Sequence, residues 1–271
     1  MEFHLAPMEN VSCWAFRKLC TNVSDSYTGM LSLNNLIRRN NAWREVDTFK
    51  IEEQRQWIQV ATSKEKECKE FILKLNKIEE EKKNIYGIQL NVSCPSKELI
   101  KIGQGAALIK RAKKVSSLVQ ELLNQDKFKI GLKVRLGLNK EEVKKRKIIT
   151  LFEELEKIKD SNFSNVCVHF KHAQERSSTD YDYSILKDLI QFNIPLIANG
   201  GIRNNEEVEK FSKIKGIMIG RGALGNPNCF SELINLNLNR DIKEEFEENC
   251  KEHMPKPNYL ETIKKYCEWY S

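Results

Sequence analysis

Short apolar runs that alternate with longer amphipathic stretches restrict the fold of this 271-residue chain more than any other feature. Most runs contain Ile, Val, Leu or Phe, and many of the intervening stretches are rich in Lys and Glu with helical spacing of apolar residues. Strands joined through helices run parallel, so eight such units at this length predict an α/β fold that closes as a (β/α)8 TIM barrel. An open doubly wound sheet is the alternative. The predicted strands are Phe3–Pro7, Ser26–Thr28, Trp57–Ala61, Gly87–Asn91, Ile130–Arg135, Asn165–His169, Pro195–Ala198 and Gly216–Ile219.

The end of the chain lacks this strand rhythm. After about Asn235 the pattern indicates a helix, a proline-flanked break over Met254–Pro257 and a second helix to Tyr270. We therefore expect a barrel over residues 1–234 and a short helical C-terminal appendage over residues 235–271.

Composition excludes several classes of protein. The chain is 40% apolar, enough for a large core, but it has no run of about 18 apolar residues that could span a membrane. Its N-terminus does not resemble a secretory signal. The eight cysteines form no C-x-x-C pair and have no zinc-like spacing to the four histidines. We expect a cytoplasmic protein with reduced thiols, without a metal site or membrane contact, and favour a monomer.

Charge is unevenly distributed along the chain, which has a net charge of +7. Residues 97–114 carry six Lys or Arg and a single acid, Glu98, whereas Asp241–Glu252 is mainly acidic. A basic segment near a candidate site is typical of nucleic-acid binding, although such charges also occur on solvated helix faces.

Polar and reactive residues collect at the predicted carboxyl ends of the strands. In a TIM barrel these ends meet at one rim, where the active site lies. The candidate site residues at this rim are Ala6, Pro7, Met8, Gln59, Asn91, Cys94, Lys133, Arg135, His169, Asn199, Gly200, Gly201, Gly220 and Arg221.

Glycines follow the last two strands, in Gly200-Gly201 and in Gly220-Arg221-Gly222. Glycine allows close approach of backbone N–H groups to a phosphate, and Arg221 can add a charge-assisted hydrogen bond. The pair of sites favours phosphate binding over simple chain turns. The segment Gly103–Ala107 follows a helical pattern and lacks a third glycine, so we interpret it as a loop and not as a dinucleotide fingerprint.

Four other side chains could carry chemistry. Cys94 follows a strand and precedes Pro95, so its thiol could act as a nucleophile or a general acid, or could be a buried apolar group. Lys133 and Arg135 lie on the same face of an apolar strand, which favours contact with an anion or an electron-rich ring over solvent exposure. His169 is equally compatible with a ligand contact and with a core histidine.

These segments together resemble the tRNA-dihydrouridine synthase family, in the family's order over residues 3–230. Its most specific motifs are the Asn-x-x-Cys-Pro segment and the Gly-Arg-Gly-Ala-Leu-Gly-Asn-Pro segment. The matching stretches are Ala6–Asn10 with Phe16-Arg17, Tyr27-Thr28 with Met30, Gln59-Val60, Asn91–Pro95 with Gly103–Leu108, Lys133–Gly137, Val168-His169, Ile197–Gly200 and Gly220–Pro227.

The resemblance implies an FMN-binding TIM barrel with a helical tRNA-binding tail, which reduces the C5–C6 double bond of particular tRNA uridines with NADPH or NADH. It implies that Cys94 protonates C5 after hydride from the flavin reaches C6. Asn91 and Arg135 would contact the substrate. The residues implied around FMN are Ala6, Pro7, Met8, Gln59, Lys133, His169, Asn199, Gly200, Gly201, Gly220 and Arg221.

The sequence departs from the family pattern at several positions. Ser93 stands where the family usually has Gly, and Gly29 where it usually has Glu. His169 is followed by Phe170–His172 instead of Gly-Arg-Thr, and residues 264–270 resemble only the start of the family's longer tail.

Two other functions are compatible with the motifs. The Asn-Val-Ser-Cys-Pro segment also resembles dihydroorotate dehydrogenases, which are FMN barrels with a cysteine base. A non-catalytic RNA-binding barrel is the alternative from another class. The Gly220–Pro227 segment and the basic residues 97–114 favour a tRNA enzyme, and retention of Cys94 and Lys133 weighs against loss of catalysis.

Overall fold

The computed structural model describes residues 1–82, 84–176 and 178–270, so Ser271 of the predicted appendage lies outside the described residues. All eight predicted strands are present, with ends that differ by at most two residues. A ninth strand of two residues is too short to show alternation in the sequence. The strands are β1 (Glu2–Leu5), β2 (Asp25–Tyr27), β3 (Leu31–Ser32), β4 (Arg55–Ala61), β5 (Ile85–Val92), β6 (Lys129–Arg135), β7 (Phe163–His169), β8 (Leu196–Asn199) and β9 (Gly216–Ile219).

The strands form a closed parallel barrel. β1 pairs with β9 on one side and with β2 on the other, and β2 continues the sheet to β4. Consecutive parallel pairs then join β4 through to β9, while β3 pairs only with the end of β4. The TIM barrel is therefore confirmed, and the open doubly wound sheet is wrong because it would leave both edge strands unpaired.

Helices and 3-10 turns connect the strands and cover the barrel. Their buried residues pack with the outward-facing side chains of the strands into the main core, in which Val115 and Leu118 join Leu132 and Val134. The helices are α1 (Trp14–Leu19), α2 (Leu33–Arg38), α3 (Glu65–Lys82), α4 (Lys97–Lys101), α5 (Ala112–Leu123), α6 (Lys140–Lys144), α7 (Lys147–Leu155), α8 (Leu186–Leu189), α9 (Asn205–Glu209), α10 (Arg221–Gly225), α11 (Cys229–Glu232), α12 (Ile242–Glu252) and α13 (Pro257–Tyr266), with 3-10 turns at Asn40–Glu45, Gly105–Lys110 and Glu268–Tyr270.

A second, smaller apolar cluster fills the barrel interior around Trp57 and Tyr27, whose rings stack at 5.6 Å. The Trp57 ring occupies the space in which the neighbouring strands would carry side chains. A Cβ on Gly87 would lie 2.5 Å from this ring, and one on Gly131 would lie 3.3 Å from it. Glycine at these two positions therefore makes room for the tryptophan that fills the lower barrel.

The C-terminal helices pack against α1 and α10. Phe246 of α12 is fully buried, and the His253 ring stacks on Phe49 at 3.7 Å and meets Trp14 edge-on at 4.5 Å. The Arg240 guanidinium donates to the Leu19 carbonyl at 3.1 Å. These contacts hold the last helices to one side of the barrel. Within the part of the chain that is described, no helix is long and apolar enough to cross a membrane.

Trp57 packing generates a stability prediction. Gly87→Ala should destabilise the protein by about 1–3 kcal/mol, because the added methyl group overlaps the Trp57 ring and the Lys129 carbonyl. Gly225→Ala is the matched control, since its Cβ would meet no atom within 4 Å and a helical alanine is favoured. Urea unfolding of both variants measures the difference. Equal stability of the two variants would contradict the packing argument.

Candidate active site

A cavity of about 490 Å³ opens at the carboxyl ends of the barrel strands, and we call it the rim cavity. Every candidate site residue from the sequence lies in its wall. They come from seven different strand ends, which shows why residues far apart in sequence can share one site. These residues are Ala6, Pro7, Met8, Gln59, Asn91, Cys94, Lys133, Arg135, His169, Asn199, Gly200, Gly201, Gly220 and Arg221.

Lys133 is a buried cation on β6 at the floor of the rim cavity. Its ammonium donates to Asn199 Oδ1 at 2.9 Å, and Asn199 Nδ2 donates to the Met218 carbonyl at 2.8 Å. No carboxylate of the described residues pairs with Lys133, which is only 7% exposed. Burial therefore lowers the pKa of Lys133 to about 8. A charge held at this cost favours a site for an electron-rich or anionic ligand.

A chain of side-chain amides crosses the cavity floor. Gln59 Nε2 donates to Gln89 Oε1 at 2.7 Å, and Asn91 Nδ2 donates to Gln59 Oε1 at 2.8 Å. At the end of the chain, Asn91 Oδ1 accepts hydrogen bonds from the backbone N–H groups of Ser93 and Cys94. Asn91 therefore positions the turn that carries the Cys94 thiol.

The turn at Cys94 is held from the opposite side by the segment that we expected to be a loop. Gly105 begins a 3-10 turn, and the Ala106 N–H donates to the Cys94 carbonyl at 2.9 Å. Gly105 has a φ of +56°, and a Cβ there would lie 2.6 Å from that carbonyl. Gly105 thus allows close backbone packing against Cys94.

The Cys94 thiol stays protonated at neutral pH. Burial raises the pKa of this thiol above its ordinary value, and the nearby carboxylate of Glu9 acts in the same direction. A neutral thiol at a cavity wall can donate a proton but is a poor nucleophile, because the thiolate is the nucleophilic form.

Arg135 and His169 lie beside Lys133 at the ends of β6 and β7. Arg135 donates to the Ser93 carbonyl at 2.8 Å and to the His172 carbonyl at 3.3 Å, so it ties the Cys94 turn to the segment after β7. Burial and the surrounding cations, Lys133 first among them, hold the pKa of His169 well below its usual range. His169 is therefore a neutral imidazole.

The two glycine sites lie next to each other at the ends of β8 and β9. Gly200 and Gly201 have φ angles of +106° and +74°, which residues other than glycine rarely adopt. Gly220 directly precedes α10, and a Cβ there would lie 3.2 Å from the Ala6 side chain. The backbone of the two glycine sites and the Arg221 guanidinium thus lie at one corner of the cavity. This arrangement suits the binding of a phosphate.

Two lining residues of this corner were missed by the sequence reasoning. Arg203 follows Gly201 by two residues, so its position after the glycine pair was an available signal. Tyr181 lies in an irregular segment between β7 and α8, where no periodicity or motif marks it.

Charge in the rim cavity is predominantly positive. Among its described lining residues, Lys133, Arg135, Arg203 and Arg221 are cationic and Glu9 alone is acidic. Amide groups for hydrogen bonding lie beside these cations. This donor set fits a flat polar ring that carries a phosphate, which is the chemistry of a flavin mononucleotide.

The basic segment 97–114 lies outside the cavity, and part of its charge is neutralised or held by protein partners. Lys110 pairs with Glu142 at 3.4 Å, Lys114 pairs with Glu65, and Arg111 Nη2 donates to the Gly103 carbonyl at 2.6 Å. Sequence counting could not reveal these partners because they come from distant segments. The C-terminal half of the segment is therefore a weaker nucleic-acid surface than its charge indicates.

The barrel and the rim cavity define the class of the protein, a (β/α)8 enzyme that can hold an anionic cofactor beside a protonated thiol. The model of the dihydrouridine synthase (Dus) family matches residues 4–268, and the chain belongs to this family. Dihydrouridine is uridine with two added hydrogens, so the family's reaction is a reduction. This membership favours dihydrouridine formation over the dihydroorotate dehydrogenase alternative.

Curated relatives agree with the family. The chain is 27% identical over 235 residues to tRNA-dihydrouridine synthase B of Shewanella oneidensis, which covers 84% of the chain and 70% of the relative. It is 27% identical over 236 residues to the Saccharomyces cerevisiae tRNA-dihydrouridine(20a/20b) synthase (NAD(P)+). That match covers 83% of this chain and 60% of the relative. A human protein with a similar name is 32% identical, covering 54% of the chain and 45% of that relative.

Solved structures with the same fold include morphinone reductase and the old yellow enzyme of Trypanosoma cruzi. Morphinone reductase superposes with a TM-score of 0.57 at 9% identity, covering 90% of this chain and 88% of that one. The Trypanosoma cruzi enzyme superposes with a TM-score of 0.57 at 8% identity, covering 94% of this chain and 95% of that one. At this identity the similarity establishes the barrel fold alone.

The buried Lys133 yields a prediction on stability and pH. Lys133→Met should stabilise the flavin-free protein by about 1–3 kcal/mol at about pH 7, because it removes a desolvated charge and only one hydrogen bond. The wild-type penalty is fully present below the folded pKa of about 8 and disappears as pH rises towards the unfolded value. The stabilisation of Lys133→Met relative to wild type should therefore be smaller at about pH 10 than at about pH 7.

Urea unfolding of flavin-free protein at both pH values measures this difference. Lys113→Met is the control, because it removes an exposed lysine from α5 and should change stability by less than about 0.5 kcal/mol. A Lys133→Met variant that is less stable than wild type at about pH 7 would show that the ammonium is not costly in the folded state.

Proposed function

We propose that the protein is a flavin-dependent oxidoreductase that reduces the C5–C6 double bond of specific uridines in tRNA, with FMN as its cofactor and NADPH or NADH as the reductant. The observation that carries this proposal is that one cavity brings together a protonated thiol, two adjacent glycine turns and a buried ammonium that pairs with no carboxylate among the described residues. Family membership supports the same reaction.

FMN would lie across the cavity floor with its phosphate at the glycine corner. Gly200, Gly201, Gly220 and Arg221 would bind the phosphate through backbone N–H groups and a guanidinium. The ammonium of Lys133 would face the electron-rich ring system. When bound, reduced FMN would be the source of the hydride that the uracil receives. The remaining residues proposed around the ring are Ala6, Pro7, Met8, Gln59, His169 and Asn199.

Cys94 would hold the proton that C5 of the uracil receives. Reduction of the double bond needs a hydride equivalent at one carbon and a proton at the other, and the half-buried thiol keeps its proton at neutral pH. Asn91 would contact the uracil with the amide N–H that does not bind Gln59, and Arg135 with the guanidinium N–H groups that do not bind the Ser93 and His172 carbonyls. In this arrangement the same two side chains orient both the base and the acid.

Transfer RNA is the proposed partner, and its backbone would meet cations close to the cavity mouth. Arg203 lines the cavity, and Lys97 and Lys101 are exposed on α4, directly after the Cys94 turn. These residues are better placed than Lys110, Arg111 and Lys114, whose side chains already have protein partners. Phosphate contacts of this kind make binding dependent on salt.

We propose that residues 1–234 form the FMN-binding barrel and residues 235–271 a short helical appendage. We also propose a cytoplasmic monomer. All eight cysteines are free thiols, which supports a reducing compartment. Sedimentation of the purified protein tests the monomer.

The role of Cys94 is tested by transient kinetics. Cys94→Ala should leave FMN binding and flavin reduction by NADPH intact, and should slow flavin reoxidation by tRNA by about 10²–10⁴-fold. Cys229→Ala, which alters a half-buried thiol outside the cavity, should react at the wild-type rate. Wild-type reoxidation by the Cys94 variant would refute the proton-donor role. A colourless wild-type protein would favour the non-catalytic RNA-binding barrel.

The pH dependence of reoxidation gives an independent test. A general acid works only while it is protonated, so the wild-type rate should be constant at neutral pH and fall in alkaline solution. Because burial raises the pKa of Cys94, the fall should begin above the ordinary thiol value of about 8.5. A rate that rises with pH through this range would indicate a thiolate mechanism instead.

A further inference from the structure

The Tyr181 ring lies flat against the glycine pair at the end of β8. A Cβ on Gly200 would lie 2.2 Å from Tyr181 Cε1, and one on Gly201 would lie 2.7 Å from Tyr181 Cδ2. The Cδ1–Cε1 edge of the ring thus faces Gly200, and the opposite edge faces Gly201. Tyr181 forms a wall of the corner at which the phosphate is proposed to bind.

The Tyr181 hydroxyl meets the Arg221 side chain. Arg221 Nη2 donates to the Tyr181 hydroxyl oxygen at 3.1 Å. Nowhere in the described residues does Arg221 form an ion pair with a carboxylate, so this hydroxyl is the contact that restrains its guanidinium. A free arginine side chain samples many rotamers, and a ligand would otherwise have to restrict this freedom on binding.

Other groups fix the ring itself. It stacks on His169 with centroids 5.8 Å apart and an interplanar angle of 30°. The ammonium of Lys171, which is 2% exposed, lies 4.2 Å from its centroid. Tyr183 stacks next to it at 6.1 Å and donates its hydroxyl to the Gly200 carbonyl at 2.7 Å. The hydroxyl of Tyr181 is therefore presented to Arg221 from a rigid support.

We propose that Tyr181 is a positioning residue that orients Arg221 for a phosphate monoester and so makes the site select a phosphorylated flavin over an unphosphorylated one. The inference rests on the proposed function. The ring covers one side of the glycine pair, and the hydroxyl holds the guanidinium in place, so less ordering is needed when the phosphate binds. Neither effect acts on the isoalloxazine ring, which distinguishes this role from a general contribution to the cavity wall.

Titrations of the flavin-free protein with FMN and with riboflavin test the proposal. Tyr181→Phe keeps the ring and removes the hydroxyl, so it should weaken FMN binding by about 3–10-fold and leave riboflavin binding unchanged. Arg221→Ala should weaken FMN more strongly. If the hydroxyl acts only through the guanidinium, the double variant should bind FMN no more weakly than Arg221→Ala alone.

Tyr86→Phe is the matched control, because Tyr86 also lies beside an arginine, Arg55 at 5.1 Å, but at the opposite end of the barrel. It should bind both flavins like wild type. Equal weakening of FMN and riboflavin by Tyr181→Phe, or full additivity with Arg221→Ala, would overturn the positioning role while leaving the flavin site standing. A wild-type protein that binds neither flavin would refute the proposed function, and the inference with it.

Discussion

Closure of an eight-stranded barrel is the constraint on which the rest of this structure depends. The interior of such a barrel is just wide enough for side chains, so every inward position must be packed or paired. Here Trp57 fills the lower half, and the absence of side chains at Gly87 and Gly131 makes this possible. The rim cavity lies above this packing, at the carboxyl end of the strands.

The opposite end of the barrel holds a half-exposed cation, Arg55, in a different environment. Arg55 forms a two-point hydrogen bond with Asp25 and also pairs with Glu2, and Trp57 Nε1 donates to the same Asp25 carboxylate. The cation there has carboxylate partners within the protein. Lys133 at the cavity floor has none among the described residues and interacts instead with an amide oxygen. The contrast indicates that the buried Lys133 lowers folding stability, as expected for a residue that is retained for ligand binding.

Much of the fold and the site followed from the sequence because parallel strands bring their carboxyl ends together. Residues as distant as Cys94 and Arg221 could be placed at one rim once their strands were identified. Interactions that depend on side-chain packing could not be predicted in this way. Trp57 shows no sign in the sequence that it fills the barrel, and Tyr181 lies in a segment without periodicity.

Charge was the least predictable property. Residues 97–114 are basic by count, yet Glu65 on α3 and Glu142 on α6 neutralise part of that surface after folding. Pairing of this kind depends on which helices become neighbours around the barrel, which local sequence does not encode. Arg203, which has no carboxylate partner among the described side chains, lines the cavity but was not singled out from the sequence.

Hydrogen bonding across the cavity floor links the two ends of the proposed reaction. The chain from Gln89 through Gln59 to Asn91 ends at the backbone of Cys94, and Arg135 holds the same turn through the Ser93 carbonyl. A flavin ring bound on these amides would lie at a fixed distance from the Cys94 thiol, because the same amides hold the Cys94 turn. Reduction of a double bond requires a fixed distance, since the hydride equivalent and the proton must reach adjacent carbons of one base. The amide chain therefore supports the assignment of the floor to the cofactor and of the Cys94 turn to the acid.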